Sequence, residues 1–292
     1  MRRWLGLLAL MLLLVCGAKE AAAGGSNCSV SVSQPMNFGT YTGTQVQPGG
    51  TAVTVTCALL AGYTVALDAG QGIGATTTTR KMMTGGGGNA LNYQMFQNSS
   101  RTTNWGNTTG TDTVAGLGLG IAQTITIYPQ LPAAQYVVPN TYNDTVTVSV
   151  TSSTGTVSTT FSVQATVQAT CLISAGALSF GTYSGLVLNV ASTLTITCTS
   201  TTTYNVGLNA GTATGATVAT RKMTGPASAT LQYAMFRDSA RTLNWGNTVG
   251  TDTLSSTGNG SAQLSSVFGR LAAGQLVPVG AYSDTIIVTV TY

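Results

Sequence analysis

The residues best equipped for chemistry stand in RTTNWGNTTGTDT, Arg101 to Thr113. This stretch offers a carboxylate at Asp112, the amide of Asn104 and the indole of Trp105. With Asp144 as a second carboxylate, the set could serve glycoside hydrolysis, which needs one acid and one base or nucleophile. Two observations argue against that use. The chain holds no histidine, so it lacks a base that titrates near neutrality and cannot build a Ser-His or Cys-His pair. Nearly the same thirteen letters also return as RTLNWGNTVGTDT, Arg241 to Thr253, and Asp112 and Asp144 recur as Asp252 and Asp284, each beside a threonine. Two identical turns are simpler than two identical active sites. Trp105 and Trp245 are therefore expected to fill a core or a strand edge, with Asn and Asp side chains tying turns to the backbone. TGGGGN, Thr84–Asn89, lacks the Lys-Ser/Thr that follows a phosphate loop and becomes TGPASA in the second copy. Arg80-Lys81 and Arg221-Lys222 are expected to be solvated strand ends. The chain is read as not an enzyme, with no cofactor and no metal.

The opening residues have the make-up of a secretory leader, with MRR as the basic start, WLGLLALMLLLV as the apolar run and AAA at Ala21–Ala23 as small cleavage positions. The leader is expected to span 1–23. Cys16 loosely suggests a lipoprotein signal, but Val15 stands where a small residue is wanted. The apolar run is short for a bilayer span, so an exported, soluble chain is expected. Beyond the leader remain Cys28, Cys57, Cys171 and Cys198, a count that allows three pairings. The repeat selects Cys28–Cys57 and Cys171–Cys198, one staple per copy, which suits an oxidising compartment. Each is worth roughly 3–4 kcal/mol in the chain-entropy model. There is neither a CxxC nor a histidine spacing for metal.

Charged residues make up 6% of the 292, and the formal charge is +4. Removing Arg2, Arg3, Lys19 and Glu20 leaves eight basic residues against six aspartates, about +2. No clustered basic face exists for nucleic acid. Gly, Thr, Ser, Ala and Val dominate, which points to pleated sheet with glycine-rich turns.

The elements that must position these residues come in two sets. FGTY at Phe38–Tyr41 returns at Phe180–Tyr183, TRKM at Thr79–Met82 returns at Thr220–Met223, and LNYQMF at Leu91–Phe96 matches LQYAMF at Leu231–Phe236. TYNDTVTVSV at Thr141–Val150 matches AYSDTIIVTV at Ala281–Val290. Offsets of about 140 residues fit tandem domains. Within each copy apolar residues alternate with polar ones, as in Val53, Val55, Cys57 and in Val146, Val148, Val150, so each strand has one buried face. Short strands with frequent turns predict an all-β chain of two tandem immunoglobulin-like antiparallel sandwiches. The expected boundaries are 24–152 for the first domain, 153–170 for a connector and 171–292 for the second domain.

The copies differ most between them. STTFSVQATVQAT precedes Cys171, with Phe161, Val163, Ala165 and Val167 alternating, while only GGSN lies between the leader and Cys28. If the sandwich needs one more strand after its DTVTVSV segment, the first copy can take it from this connector, whereas nothing follows IIVTVTY in the second. The second sandwich is therefore expected to lack its last strand. Such an open edge invites strand addition from another chain.

The ordered set of Cys, FGTY, a second Cys, RKM, Y-x-MF, NWG and Y-x-DT-x-x-V-x-V, present twice, resembles the spore coat protein U domain, which includes subunits and tip adhesins of archaic (Csu-type) chaperone–usher pili. The resemblance implies an incomplete immunoglobulin-like fold completed by a donor strand. It also implies a Gram-negative source, export through the periplasm to the pilus, and four partners: a periplasmic chaperone, an outer-membrane usher, an adjacent subunit that donates the strand, and an abiotic or host surface. The segment ahead of Cys28 is too short and polar to donate, so the expected role is a two-domain tip adhesin that supports attachment and biofilm formation. Phe161, Val163, Ala165 and Val167 would complete the first domain in cis. A passive shaft or coat protein without ligand is the alternative, and a lectin has few polar loop side chains to read sugar hydroxyls. Leu117, Leu119 and Ile121 face Thr257, Asn259 and Ser261 in the second copy, and Ile73 faces Thr214. Together with Tyr136, these are expected to gather at the far end of the first domain as an apolar adhesive surface.

Overall fold

The computed structural model describes residues 26–292. The expected leader over 1–23 lies outside the described residues. Among those described, no helix is long and apolar enough to cross a membrane. The first half holds strands β1 (Cys28–Val32), β2 (Met36–Tyr41), β3 (Thr51–Cys57), β4 (Gly62–Leu67), β5 (Arg80–Met83), β6 (Ala90–Phe96), β7 (Val114–Leu117), β8 (Gln123–Gln130), β9 (Asn140–Ser152) and β10 (Gly155–Val167). One layer runs β1-β3-β8-β6 and the other runs β7-β4-β9-β10-β2, with β5 bridging β6 and β9. The period-two pattern of the sequence becomes the core. Val53, Val55 and Cys57 of the first layer face Val65, Leu67, Val146, Val148 and Val150 of the second, all buried.

β9 and β10 form a hairpin that turns at Ser153-Thr154 and pairs antiparallel from Gly155↔Ser152 to Val167↔Asn140 without a break in register. The other edge of β10 pairs parallel with β2, Val163 opposite Met36 and Val167 opposite Tyr41. The connector strand thus starts earlier than the expected Phe161 and ends at Val167. Its first half, Thr156–Thr160, interleaves Thr and Ser with a single valine, so hydropathy alone hides it. All of β10 belongs to the first domain, and only residues 168–170 lead on to Cys171.

The second half repeats the layers. Strands β11 (Cys171–Ala175), β12 (Leu188–Cys198), β13 (Thr203–Leu208), β14 (Arg221–Thr224), β15 (Thr230–Phe236), β16 (Leu254–Thr257), β17 (Gln263–Leu271) and β18 (Val288–Thr291) form two sheets, β11-β12-β17-β15-β14 and β16-β13-β18. These match β1-β3-β8-β6-β5 and β7-β4-β9. Among the described residues no strand takes the places of β10 and β2. Both disulfides are formed, Cys28–Cys57 and Cys171–Cys198, each joining directly opposed residues of an antiparallel pair.

Candidate functional site

Where β10 and β2 lie in the first domain, the second has a groove. Residues 178–183 align with β2 and line one wall, while 280–288, aligned with the start of β9, line the other. The cavity between them measures about 1240 Å³, above the usual range for a small-molecule pocket. Its lining carries the apolar side chains of Leu178, Phe180, Met235, Val267, Ile286 and Val288 among polar ones that include Asp284. The first domain supplies the control. Val146, Val148 and Val150 are fully buried there, but their counterparts Ile286, Val288 and Val290 are only half-buried. The wall on the β2 side keeps its shape without a strand against it. The Phe180–Tyr233 rings sit 5.8 Å apart, edge to face, as Phe38 and Tyr93 do at 5.9 Å. Tyr183 Oη donates to the Ala272 carbonyl at 2.7 Å, as Tyr41 does to Pro132.

In the first domain Phe161, Val163, Ala165 and Val167 occupy the equivalent space and are buried there. At about 1.5–3 kcal/mol per buried apolar side chain, plus a thirteen-residue ladder, this strand is held firmly. Val163 lies directly opposite Asp144, and Ala165 opposite Tyr142.

A second feature stands at the opposite end of the first domain, where Cys57 leads into β4 and β7 leads into β8. Here two loops form a cap. The Leu60 N–H donates to the Gly118 carbonyl at 2.8 Å, the Gly118 N–H to Ala61 at 2.8 Å and the Gly120 N–H to Cys57 at 3.1 Å. The second domain builds the same cap with Thr201 to Gly258, Gly258 to Thr202 and Gly260 to Cys198 at 2.8, 2.8 and 3.2 Å. Even the left-handed residue matches, Leu60 at φ 65° and Thr201 at φ 66°. The backbone is the same but the side chains are not. Leu59, Leu60, Leu117, Leu119 and Ile121, 49–71% exposed, stand where the second domain has Ser200, Thr201, Thr257, Asn259 and Ser261. The loops fold equally well with polar residues, so the apolar ones are not required by the fold.

Leu117, Leu119 and Ile121 are therefore brought together, but Ile73 and Tyr136 are not with them. β4 runs away from the cap, so the loop after it, with Ile73, emerges at the far end, next to Lys81 and Gly87. Tyr136 precedes β9, whose first residue lies at that same far end, and its carbonyl accepts the Ser200 N–H of the second domain at 2.9 Å. The structure corrects the expectation that all five share one surface. Leu59 and Leu60 take their place in the cap. A leucine pair in a turn was the available signal, matched against Ser200-Thr201.

Residues 18–149 and 157–289 each match the model of the Spore Coat Protein U domain. The chain belongs to the Spore Coat Protein U domain family. Protein U of Myxococcus xanthus is 37% identical over 145 residues, a match covering 44% of this chain and 80% of that protein. Among solved structures, one similar fold comes from the chaperone–tip adhesion subunit pre-assembly complex of the archaic chaperone–usher Csu pili of Acinetobacter baumannii. It shows 18% identity and a TM-score of 0.56, over 90% of this chain and all of that one.

Each Spore Coat Protein U domain here is pinned by a buried cation that the sequence disguises. Arg80 and Arg221 are fully buried, not solvated strand ends. Arg80 donates from Nε to the Asp68 carbonyl at 2.8 Å, from Nη1 to Thr77 at 2.8 Å, and from Nη2 to Leu67 at 3.2 Å and Trp105 at 2.7 Å. Arg221 repeats the set with Asn209, Val218, Leu208 and Trp245. The guanidinium fork satisfies four carbonyls at once, which a lysine could not. Trp105 is fully buried and its indole donates to Val65. Asp112 closes the turn by accepting the Thr108 N–H at 2.8 Å. The stretch that looked most like chemistry is a plug and its turn.

The two groove-side carboxylates report the difference between the domains. Asp144 accepts from Tyr93 Oη at 2.6 Å and from the Gln71 and Thr145 N–H groups. Burial nevertheless pushes its carboxyl above the ordinary value, outweighing those hydrogen bonds. Asp284 is also raised by burial, but less. The Thr212 N–H, Tyr233 Oη, Thr212 Oγ1 and Thr285 N–H prevail and hold it below the ordinary value.

Proposed function

We propose that this chain is a two-domain tip subunit of a chaperone–usher pilus, exported through the periplasm of a Gram-negative cell and displayed at its surface. The observation that carries this reading is the groove at 178–183 and 280–288, whose counterpart in the first domain is filled by β10. In the first domain β10 acts as a donor strand supplied in cis through Phe161, Val163, Ala165 and Val167. In the second the donor comes from another protein, first a periplasmic chaperone and then, at an outer-membrane usher, the neighbouring subunit. Following β10, the final donor runs antiparallel to 280–291 and parallel to 178–183. Both exchanges are strand additions, in which backbone bonds give affinity and alternate side chains fill pockets.

The cap supports the tip position. Five exposed apolar side chains on a backbone that the second domain builds with polar ones form a contact surface, for an abiotic or host surface rather than a sugar. Full-length protein co-expressed with its chaperone should purify as a one-to-one complex and be recovered alone in much lower yield. Changing Leu59, Leu60, Leu119 and Ile121 to Ser should abolish adhesion and biofilm formation while piliation stays normal. Unchanged adhesion would leave a passive structural subunit as the better reading.

A further inference from the structure

The two domains of this chain meet through more than their three-residue linker. The Tyr136 carbonyl accepts the Ser200 N–H at 2.9 Å. It also lies so close to Gly260 that a Cβ there would stand 2.8 Å from it. The cap of the second domain is thus seated on the base of the first, and the seat needs a free N–H on one cap loop and a glycine on the other.

The seat is rigid and self-supporting. Gln135 accepts the Asn92 N–H at 2.8 Å, returns a bond to the Asn92 carbonyl at 2.9 Å, and its own N–H donates to Tyr41 Oη at 3.0 Å. The second domain builds an identical seat. Gln275 accepts the Gln232 N–H at 2.7 Å, bonds back at 2.9 Å, and its N–H donates to Tyr183 Oη at 3.0 Å. The Ala134 N–H to Gly43 carbonyl bond, 2.8 Å, recurs as Gly274 to Gly185 at 2.9 Å. These bonds set Leu276 where Tyr136 stands in the first domain. Among the described residues nothing donates to the Leu276 carbonyl, and its side chain is 98% exposed. Leu186 and Val279, where the first domain has Thr44 and Pro139, are exposed beside it. A pre-formed acceptor ringed by apolar side chains is a docking surface with the geometry of its partner already drawn in the same molecule.

We infer that the base of the second domain, centred on Leu276, seats the cap of the next pilus subunit in the way the first domain seats the second. This rests on the pilus reading above. It adds a second contact to the donor strand and specifies the partner: another domain of this family, with an N–H at the position of Ser200, a glycine at that of Gly260, and apolar residues to meet Leu186 and Val279. The cis junction is then the template of the fibre joint.

The test uses full-length protein in piliated cells. A photo-crosslinking amino acid at position 276 should join the neighbouring subunit through one of its two cap loops. Leu186→Asp, outside the lining of the donor groove, should reduce the protein retained on sheared fibres about tenfold, while binding of a peptide with the Gly155–Val167 sequence changes less than about twofold. Adducts confined to the donor segment, or unchanged retention, would overturn the inference. An adduct to a second copy of this chain, whose own cap carries Leu59 and Gly120, would support the seat and contradict the tip position. Failure of the peptide to bind the unaltered protein would instead refute the pilus reading itself.

Discussion

Arg80 and Asp144 carry the clearest consequences at the scale of single residues. Four carbonyls depend on the Arg80 guanidinium, and a hydrocarbon replacement strands them without water. Arg80→Met is expected to cost about 3–5 kcal/mol, seen as a lower urea midpoint with an unchanged slope. Asp144 and Asp284 should titrate apart. The folded value of Asp144 is raised, so its contribution to stability is full below the unfolded pKa and is lost as pH rises through the folded one. The folded value of Asp284 is lowered, so its contribution is present above the unfolded pKa and is lost as pH falls through the folded one. NMR titration of the side-chain carboxyls should place Asp284 below Asp144, and filling the second groove should move Asp284 upward. Coincident titration of the two would show that the groove is closed. Sequence alone hid both roles. An Arg-Lys pair reads as solvated, because burial of a charge is rare and its carbonyl partners are contributed by loops far apart in the chain. The Trp105 and Asp112 roles were legible, because their repetition left only structure to explain them.

Among the elements, alternation announced the buried faces of β3 and β9, and Phe161–Val167 announced β10. What alternation could not give was the strand's start at Gly155, where a Thr/Ser ladder continues the pairing through backbone bonds and the Thr151–Thr156 hydroxyl contact at 3.0 Å, or its parallel partner β2. Val163 sits fully buried opposite Asp144. Val163→Asp would place two carboxylates side by side in a dry site, at a cost of about 3 kcal/mol or more. β10 should then loosen, and amides of 36–41 and 140–150 should lose exchange protection. Retained protection would mean that β10 contributes little to closing the first domain. The cap substitutions belong to this scale too. Because the second domain folds the same loops with Ser, Thr and Asn, Ser at Leu59, Leu60, Leu119 and Ile121 should leave thermal stability within about 0.5 kcal/mol.

For the whole molecule, the duplication was the most legible feature, and it does double service as an internal control. It separates what the fold requires from what differs by position. Both copies keep the disulfide, the tryptophan plug, the arginine and the glutamine seat. Only the first copy has a filled groove and an apolar cap. The separation of Ile73 and Tyr136 from that cap was not legible, since it depends on which end of the sandwich each loop leaves. That is set by strand direction rather than by hydropathy. The central claim is that the second domain is completed by a strand from outside it. Its most direct test is hydrogen exchange on the full-length protein, with and without a peptide of the Gly155–Val167 sequence. The account predicts fast exchange at 178–183 and 280–288 that slows on peptide binding, together with stabilisation of about 2.7 kcal/mol at a hundredfold excess over Kd. Protected amides in both segments before any peptide is added, with no change afterwards, would contradict it.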